Sequence, residues 1–347
     1  MKKLLIILAI LVILLSGAWY GAETWMSRLA RDAIAGRQDV SAEITPMRKA
    51  GMLGLQLQNV ELAGGNGQAS FPDAQTYVSW RAPSTLAVDL PDQVTLRPAN
   101  GAPTTIALSQ GQAVTTIAAT RGFAISHVGL TGREVMIDEI PVADAIDVTA
   151  DLTHRGGAAP AGSVASYRVN LSGSGLAFGA LPERLDVFGP VQVWLDGLPD
   201  RATLDGSAPP PQLTGLQTQN LTFTLGEMTA RLTGRVEADA EGFASGQAAI
   251  YTTDGPAFVE AAVQAGLLPQ DVAGPLQAIL TRAAGEPADA DPDDATPENT
   301  DENALADEVV TLPPAAPGEV RLPIFMQDGM MRFGPVPLGP APRIAGF

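Results

Sequence analysis

Apolar and polar residues alternate in short runs from about residue 37 to Ser172, and Gly, Pro, Asn and Asp bound these runs. Residues 146–153 and 165–172 show this period of two most clearly. Such alternation is typical of antiparallel strands with one face in solvent, since strands of parallel sheets read as continuous apolar runs. The pattern predicts a mainly β fold with one or more elongated, bent antiparallel sheets of meanders and hairpins.

Two local features refine this prediction. Leu55 and Leu57 are followed by Val60 and Leu62, which is a phase slip of one residue near Asn59 that a β-bulge would absorb. A hairpin is predicted over residues 221–237, where Gly226-Glu227 fits a two-residue type II′ turn with Gly in the first position. A third strand is predicted over residues 246–251.

The predicted hairpin register places large apolar side chains on one face of the sheet. Together with one residue of the third strand they are the candidates for an apolar face, namely Leu221, Phe223, Leu225, Met228, Leu232 and Ile250. Two interpretations fit this face. It either lines a concave surface that holds an acyl chain, or it forms the core of an ordinary sandwich.

The period becomes helical after the third strand. Asp254-Gly255-Pro256 predicts a helix start, and Asp271 lies near the start of a second helix, so we expect a small helical pair near residues 255–284. Residues 285–318 are acidic and rich in Pro, which predicts a mobile loop. Strands are expected again at residues 320–326 and 330–333. Together with a Pro-rich tail they make up residues 319–347, which complete the β-rich body.

The chain opens with Lys2 and Lys3, followed by nineteen uncharged residues from Leu4 to Ala22. As a helix this run would reach roughly 28 Å, which is close to the hydrocarbon thickness of a bilayer. We therefore predict a retained transmembrane anchor, with the rest of the chain exported. A cleaved secretory signal is the alternative, because Ser16-Gly17-Ala18 resembles a small-residue peptidase site.

The membrane-interface candidates are Trp19, Tyr20 and Trp25, because amphipathic rings settle at the headgroup level. The anchor and an amphipathic stalk would occupy residues 1–36, and a β-rich body would occupy residues 37–284. Basic side chains of the stalk are placed to meet lipid phosphates, although an ordinary solvated stalk fits the same residues. These are Arg28, Arg31 and Arg37.

Composition limits the chemistry of the chain. It has no cysteine, which excludes disulfides and thiolate catalysis, and its net charge of −17 argues against a nucleic-acid partner. The two histidines, His127 and His154, are not tied to a nucleophile by any motif, and no Gly-x-Ser-x-Gly turn is present. We expect no catalytic residue, no metal site and no cofactor, and therefore a protein that is not an enzyme.

Two segments resemble a known family. Trp80-Arg81-Ala82-Pro83 followed by Pro91, and the closing run from Asp328 to Gly339, are similar to the membrane-anchored envelope proteins called domain of unknown function 2125. The closing run also resembles the final strands of AsmA-like proteins. The resemblance implies a single pass in the inner membrane of a Gram-negative-type envelope, with the body in the periplasm.

Two functions are compatible with these observations. The first is non-catalytic binding of lipid or another apolar ligand in envelope maintenance. The second is an envelope scaffold or assembly factor that binds a protein partner through a sheet edge or the acidic loop. The expected partners are the inner membrane, and either phospholipid or an envelope protein.

Overall fold

The computed structural model describes residues 21–32, 34–35, 37, 39–64, 67–181, 183–204, 208–283, 311–333 and 336–345. Most of the expected anchor, including Trp19 and Tyr20, and residues 285–310 of the expected acidic loop lie outside the described residues. In the part of the chain that is described, no helix combines the length and the apolar character needed to cross a membrane.

The fold is mainly β, as predicted, and its contacts divide it into two compact units. The first unit runs to Ala119 and includes Val128–Val142. Its elements are α1 (residues 21–32), β1 (Val40–Pro46), β2 (Met52–Gly64), β3 (Gly67–Ser79), β4 (Ala82–Asp89), β5 (Gln93–Pro98) and β6 (Thr104–Ala118). The antiparallel order is β1-β2-β3-β4-β6, and β5 pairs with β3 and β6.

The predicted phase slip in β2 is a bulge. Ser41 pairs with Glu61 and Glu43 pairs with Gln58, so β2 holds one more residue than β1 across this step. Leu55 and Val60 are both buried although they are five positions apart, an odd spacing that would put them on opposite faces of a regular strand. The extra residue reverses the alternation, which lets both apolar runs face the core.

The second unit comprises Thr120–His127 and the chain from Ala143 onward. Two strands contribute residues to both units, β7 (Ala124–Ile137) and β8 (Ile140–Thr153). Further elements are β9 (Ala165–Leu176), β10 (Leu185–Leu195), α2 (Arg201–Leu204), β11 (Leu213–Leu225), β12 (Met228–Ala238), β13 (Ala244–Thr252), α3 (Gly255–Gln264), α4 (Gln270–Ala283), β14 (Val320–Gln327), β15 (Met330–Phe333) and β16 (Val336–Pro340). From β8 to β16 each strand pairs antiparallel with the next.

The hairpin β11–β12 has the predicted register. Leu225 pairs with Met228 and Leu221 pairs with Leu232, and Gly226 has the positive φ of +57° that the first position of a type II′ turn requires. The tail expected after β15 differs from the prediction, because residues 336–340 form the strand β16. Proline is tolerated there since β16 lies at an edge of the strand order.

The helical pair also forms. The Asp254 carboxylate accepts a hydrogen bond from the Ala257 backbone N–H at 3.0 Å and caps α3, which ends before Gly266 at φ +74°. Helix α4 begins at Gln270, upstream of Pro275. The side chains packed between the two helices and the sheet form an apolar core, comprising Val259, Leu276, Leu322, Phe333 and Leu338.

Candidate functional site

The main cavity of the second unit lies between helix α3 and the strands beneath it, and has a volume of about 380 Å³. This volume lies within the range of about 300 to 1,000 Å³ that is usual for small-molecule pockets. The floor is formed by β10, β11, β12 and β13, and the roof by α3. The insertion that carries α3 leaves the sheet at Thr252 and rejoins it at Val320, which is the pairing partner of Thr252.

The structure brings most of the apolar-face candidates together in this cavity. Five of the six line it, namely Phe223, Leu225, Met228, Leu232 and Ile250. Leu221 does not line the cavity, although it is buried and pairs with Leu232 across the hairpin. Helix α3 covers the strand face that carries these five residues, so they form the floor of a pocket rather than an open concave surface.

The walls contain residues that the sequence analysis missed. Helix α3 supplies Phe258 and three alanines, whose small side chains leave space above the sheet, at positions Ala261, Ala262 and Ala265. The remaining wall comes from the end of β9, the following loop and the start of β10, with Leu176, Phe178, Leu181, Leu185 and Val187. Their strands precede the hairpin by many residues, so only the tertiary fold brings them to it.

A close approach holds the loop of this wall against α3. Gly179 has φ +57°, and a Cβ atom at this position would lie 2.9 Å from the backbone oxygen of Ala265. Glycine is therefore the residue that lets the loop after β9 contact the C-terminal end of α3. Phe178 in the same loop is 43% exposed, so the wall reaches from the cavity to the solvent.

A second cavity of about 230 Å³ lies on the other side of α3, above β13 to β16 and next to α4. The two cavities share Ile250, Phe258, Ala262 and Leu267 as lining residues. Leu267 is 61% exposed, so the shared wall also reaches the surface. The apolar space of the second unit thus extends along both sides of α3.

The chemistry that these cavities permit is narrow. Every residue that lines them is apolar, so neither offers a side-chain acid, base, nucleophile or charged group to a ligand. A charged or strongly hydrogen-bonding group would lose its hydration without gaining a partner. The arrangement suits an aliphatic or aromatic group.

The titratable side chains with notable contacts lie elsewhere. His127 Nδ1 is 2.7 Å from Asp151 Oδ1 on a neighbouring strand. The Tyr167 hydroxyl donates a hydrogen bond to Ile125 O at 2.6 Å, and burial raises the pKa of Tyr167 to about 12. Among the described residues, no group of three or more His, Asp or Glu side chains is arranged to hold a metal ion. The one described membrane-interface candidate, Trp25, lies on α1 and is 63% exposed.

Comparison with known proteins places the chain at the level of a family. No curated protein and no solved structure matches it. The model of a family described as uncharacterised protein conserved in bacteria, DUF2125, matches residues 52–342. This match covers every strand from β2 to β16, the helices α3 and α4, and both cavities. The chain therefore belongs to the DUF2125 family.

Proposed function

We propose that this protein binds a lipid acyl chain or another apolar ligand, without covalent chemistry, in the cavity beneath α3. The observation that carries the proposal is a space of about 380 Å³ with an entirely apolar lining and a wall that reaches the surface at Phe178 and Leu267. Water is poorly held in such a space because the lining offers it no hydrogen-bond partners.

The size of the cavity makes the binding energetically reasonable. Each buried methylene group contributes about 0.8 kcal/mol, so ten of them would contribute about 8 kcal/mol. Association costs at least about 4 kcal/mol in lost translational and rotational freedom. Ten buried methylene groups therefore leave at most about 4 kcal/mol, which corresponds to a Kd of about 1 mM, and each further buried methylene group would tighten binding about fourfold.

We place this activity in a protein anchored in the inner membrane of a Gram-negative-type envelope, with its body in the periplasm. The uncharged run from Leu4 to Ala22 and the exposed Trp25 support that placement. The alternative role as a scaffold that pairs with a partner strand has less support. One of the two edge strands, β16, contains Pro337 and Pro340, which lack the N–H groups that strand addition needs.

The test uses the full chain, kept in solution by an amphipathic polymer, and a fluorescent fatty acid as the probe. The variant Ala261→Trp fills the cavity from α3, and Glu260→Trp adds the same indole at the neighbouring exposed position. We expect Ala261→Trp to weaken binding at least about tenfold, which corresponds to about 1.4 kcal/mol, and Glu260→Trp to change it less than about twofold.

Two results would reject the proposal. One is that the wild-type chain binds neither the probe nor any lipid that native mass spectrometry detects. The other is that Ala261→Trp binds the probe as tightly as Glu260→Trp, which would place the bound molecule outside the cavity. A hydrogen-exchange comparison of the two variants checks that α3 remains folded in both.

A further inference from the structure

Helix α1 packs on the first unit through its polar side. Glu23 is fully buried, and its carboxylate accepts hydrogen bonds from the backbone N–H groups of Arg48 at 3.1 Å and Gly54 at 3.3 Å. Ser27, one turn later, is also fully buried. The apolar side chains of Trp25 and Leu29 are 63% and 55% exposed. This arrangement is the reverse of the usual amphipathic helix, whose apolar stripe faces the core.

The turn that Glu23 holds also contacts a second exposed tryptophan. Residues 47–51 connect β1 to β2, and the Trp80 backbone N–H donates to Gly51 O at 3.3 Å. A Cβ atom on Gly51 would lie 3.5 Å from the Trp80 indole nitrogen, so the ring lies against this glycine. Trp80 is 69% exposed. Helix α1, which carries Trp25 and Leu29, and Trp80 therefore both contact residues 48–54 at the start of β2.

The charge of this region is opposite to that of the chain. The chain carries −17, yet five exposed basic residues accompany the two tryptophans, namely Arg28, Arg31, Arg48, Lys49 and Arg81. The acidic residues on α1 are Glu23, which is buried against the turn, and Asp32. Exposed Trp beside Arg and Lys is the combination found where proteins meet the headgroup region of a membrane.

We propose that this basic aromatic surface, formed by α1, residues 47–51 and residues 80–81, rests on the headgroups of anionic phospholipids. Charge complementarity selects the partner, and the uncharged run from Leu4 to Ala22 is contiguous in sequence with α1. Lys and Arg side chains are attracted by the negative surface potential of an anionic bilayer, and the indole rings add apolar contact at the interface. The proposal goes beyond binding in the α3 cavity and does not depend on it.

The absence of cysteine makes a direct test possible, because a single introduced cysteine is labelled without background. A nitroxide at Ala50→Cys reports on the proposed surface. Ala99→Cys, an exposed alanine near the opposite end of the first unit's strands, is the matched control. The full chain is reconstituted into vesicles of phosphatidylcholine alone or with phosphatidylglycerol, and the accessibility of each label to oxygen and to a water-soluble nickel complex is measured.

We expect the label at Ala50, and not the label at Ala99, to lose access to the nickel complex and gain access to oxygen when phosphatidylglycerol is present. The pair Lys49→Glu and Arg81→Glu should abolish this change, as should high salt, which shortens the screening length. The pair Arg97→Glu and Arg133→Glu changes the net charge equally at exposed positions outside the surface and should leave the change intact.

Equal accessibility of the two labels in all vesicles would overturn the proposal. So would a response at Ala50 that is the same in phosphatidylcholine alone, because it would show contact without recognition of anionic lipid. A label that is protected only when an acidic envelope protein is added would assign the surface to a protein partner. None of these results depends on whether the fatty-acid probe binds beneath α3.

Discussion

Helices α1 and α3 both pack on antiparallel strands, but they bury opposite kinds of side chain. Helix α3 buries Val259 and Ala262 in an apolar core and leaves Glu260 exposed. Helix α1 buries Glu23 and Ser27 and leaves Trp25 and Leu29 exposed. A helix is thus attached to a sheet by hydrophobic burial in one unit and by hydrogen bonds to a turn in the other.

The difference shows how the outer face of a helix constrains its inner face. Where the outer face meets water, as at Glu260, the apolar residues are available for the core. Where the outer face carries the apolar residues and contacts the membrane interface, as we propose for Trp25 and Leu29, the buried face is polar. Its polar groups must then form hydrogen bonds with the rest of the unit. A buried carboxylate achieves this because it accepts hydrogen bonds from two backbone N–H groups, those of Arg48 in the turn and Gly54 in β2.

The largest effect is expected when the buried face of α3 is given a carboxylate like the one on the buried face of α1. Val259 is 2% exposed and has apolar neighbours, so the change Val259→Asp would bury a carboxylate without partners. We expect a loss of about 3 to 5 kcal/mol in the free energy of unfolding of the second unit. Urea unfolding followed by hydrogen exchange measures this loss, and Glu260→Asp, at the exposed neighbour, should cost less than about 0.5 kcal/mol.

The reciprocal change places an apolar side chain on the buried face of α1, as in α3. Glu23→Leu removes the carboxylate that accepts from the backbone N–H groups of Arg48 and Gly54, and leaving the buried Gly54 N–H without this acceptor costs about 1 to 3 kcal/mol. We expect α1 to detach, with a loss of about 2 to 4 kcal/mol confined to the first unit.

Hydrogen exchange at the amides of Arg48 and Gly54 measures the detachment of α1 directly. Glu23→Gln is the control, because its amide oxygen still accepts one hydrogen bond and should retain part of the protection. Unchanged exchange at both amides in Glu23→Leu would show that the carboxylate does not hold the helix.

Local features of the fold and contacts between distant segments differ in how far the sequence predicts them. The hairpin β11–β12 follows from the sequence because Gly226 and Glu227 fix the register within a few residues. The start of α3 follows for the same reason, since its cap and its proline are adjacent. These are local signals, and the structure confirms both elements.

Contacts between distant segments gave no such signal. Glu23 binds the amide of Gly54, 31 residues away, and no pattern around either residue predicts that contact. Leu176 and Phe178 reach the α3 cavity only because β9 and β10 pair beside the predicted hairpin. The strand β16 was missed because prolines usually mark the end of regular structure, and an edge position is what makes them acceptable.

A smaller effect is expected from removing a hydrogen bond that attaches the segment carrying α3 to the sheet. The Tyr251 hydroxyl donates to Pro313 O at 2.6 Å, and residue 313 belongs to the last part of the expected mobile loop. Tyr251→Phe should cost about 1 kcal/mol in unfolding free energy, since one hydrogen bond is lost and the ring remains. Chemical unfolding at neutral pH measures this difference.

The pH dependence of this contact has a definite sign. Burial raises the pKa of Tyr251 above its usual value near 10, although Arg321 and Arg231 oppose the shift. The unfolded chain therefore loses this proton first, so the contribution is fully present below about pH 10 and declines as the pH rises through the folded-state pKa. The Tyr251→Phe variant should lose less stability than the wild type over that interval, and an equal loss in both would assign the alkaline decline to other groups.

The smallest expected effect concerns the acidic segment that follows α4. Residues 286–308 contain ten acidic residues, no Lys or Arg, and few large apolar side chains, so they have little to contribute to a core. Deleting residues 285–310 keeps the Tyr251–Pro313 contact and should shift the thermal midpoint by less than about 2 °C. Extending the deletion to residue 317 removes the contact, and the midpoint should then fall by a few degrees, as expected for about 1 kcal/mol in a unit of this size. Equal midpoints for the two deletions would mean that the Tyr251–Pro313 hydrogen bond does not help to hold α3 on the sheet. The attachment of α3 would then be wholly apolar, in full contrast to the hydrogen-bonded attachment of α1.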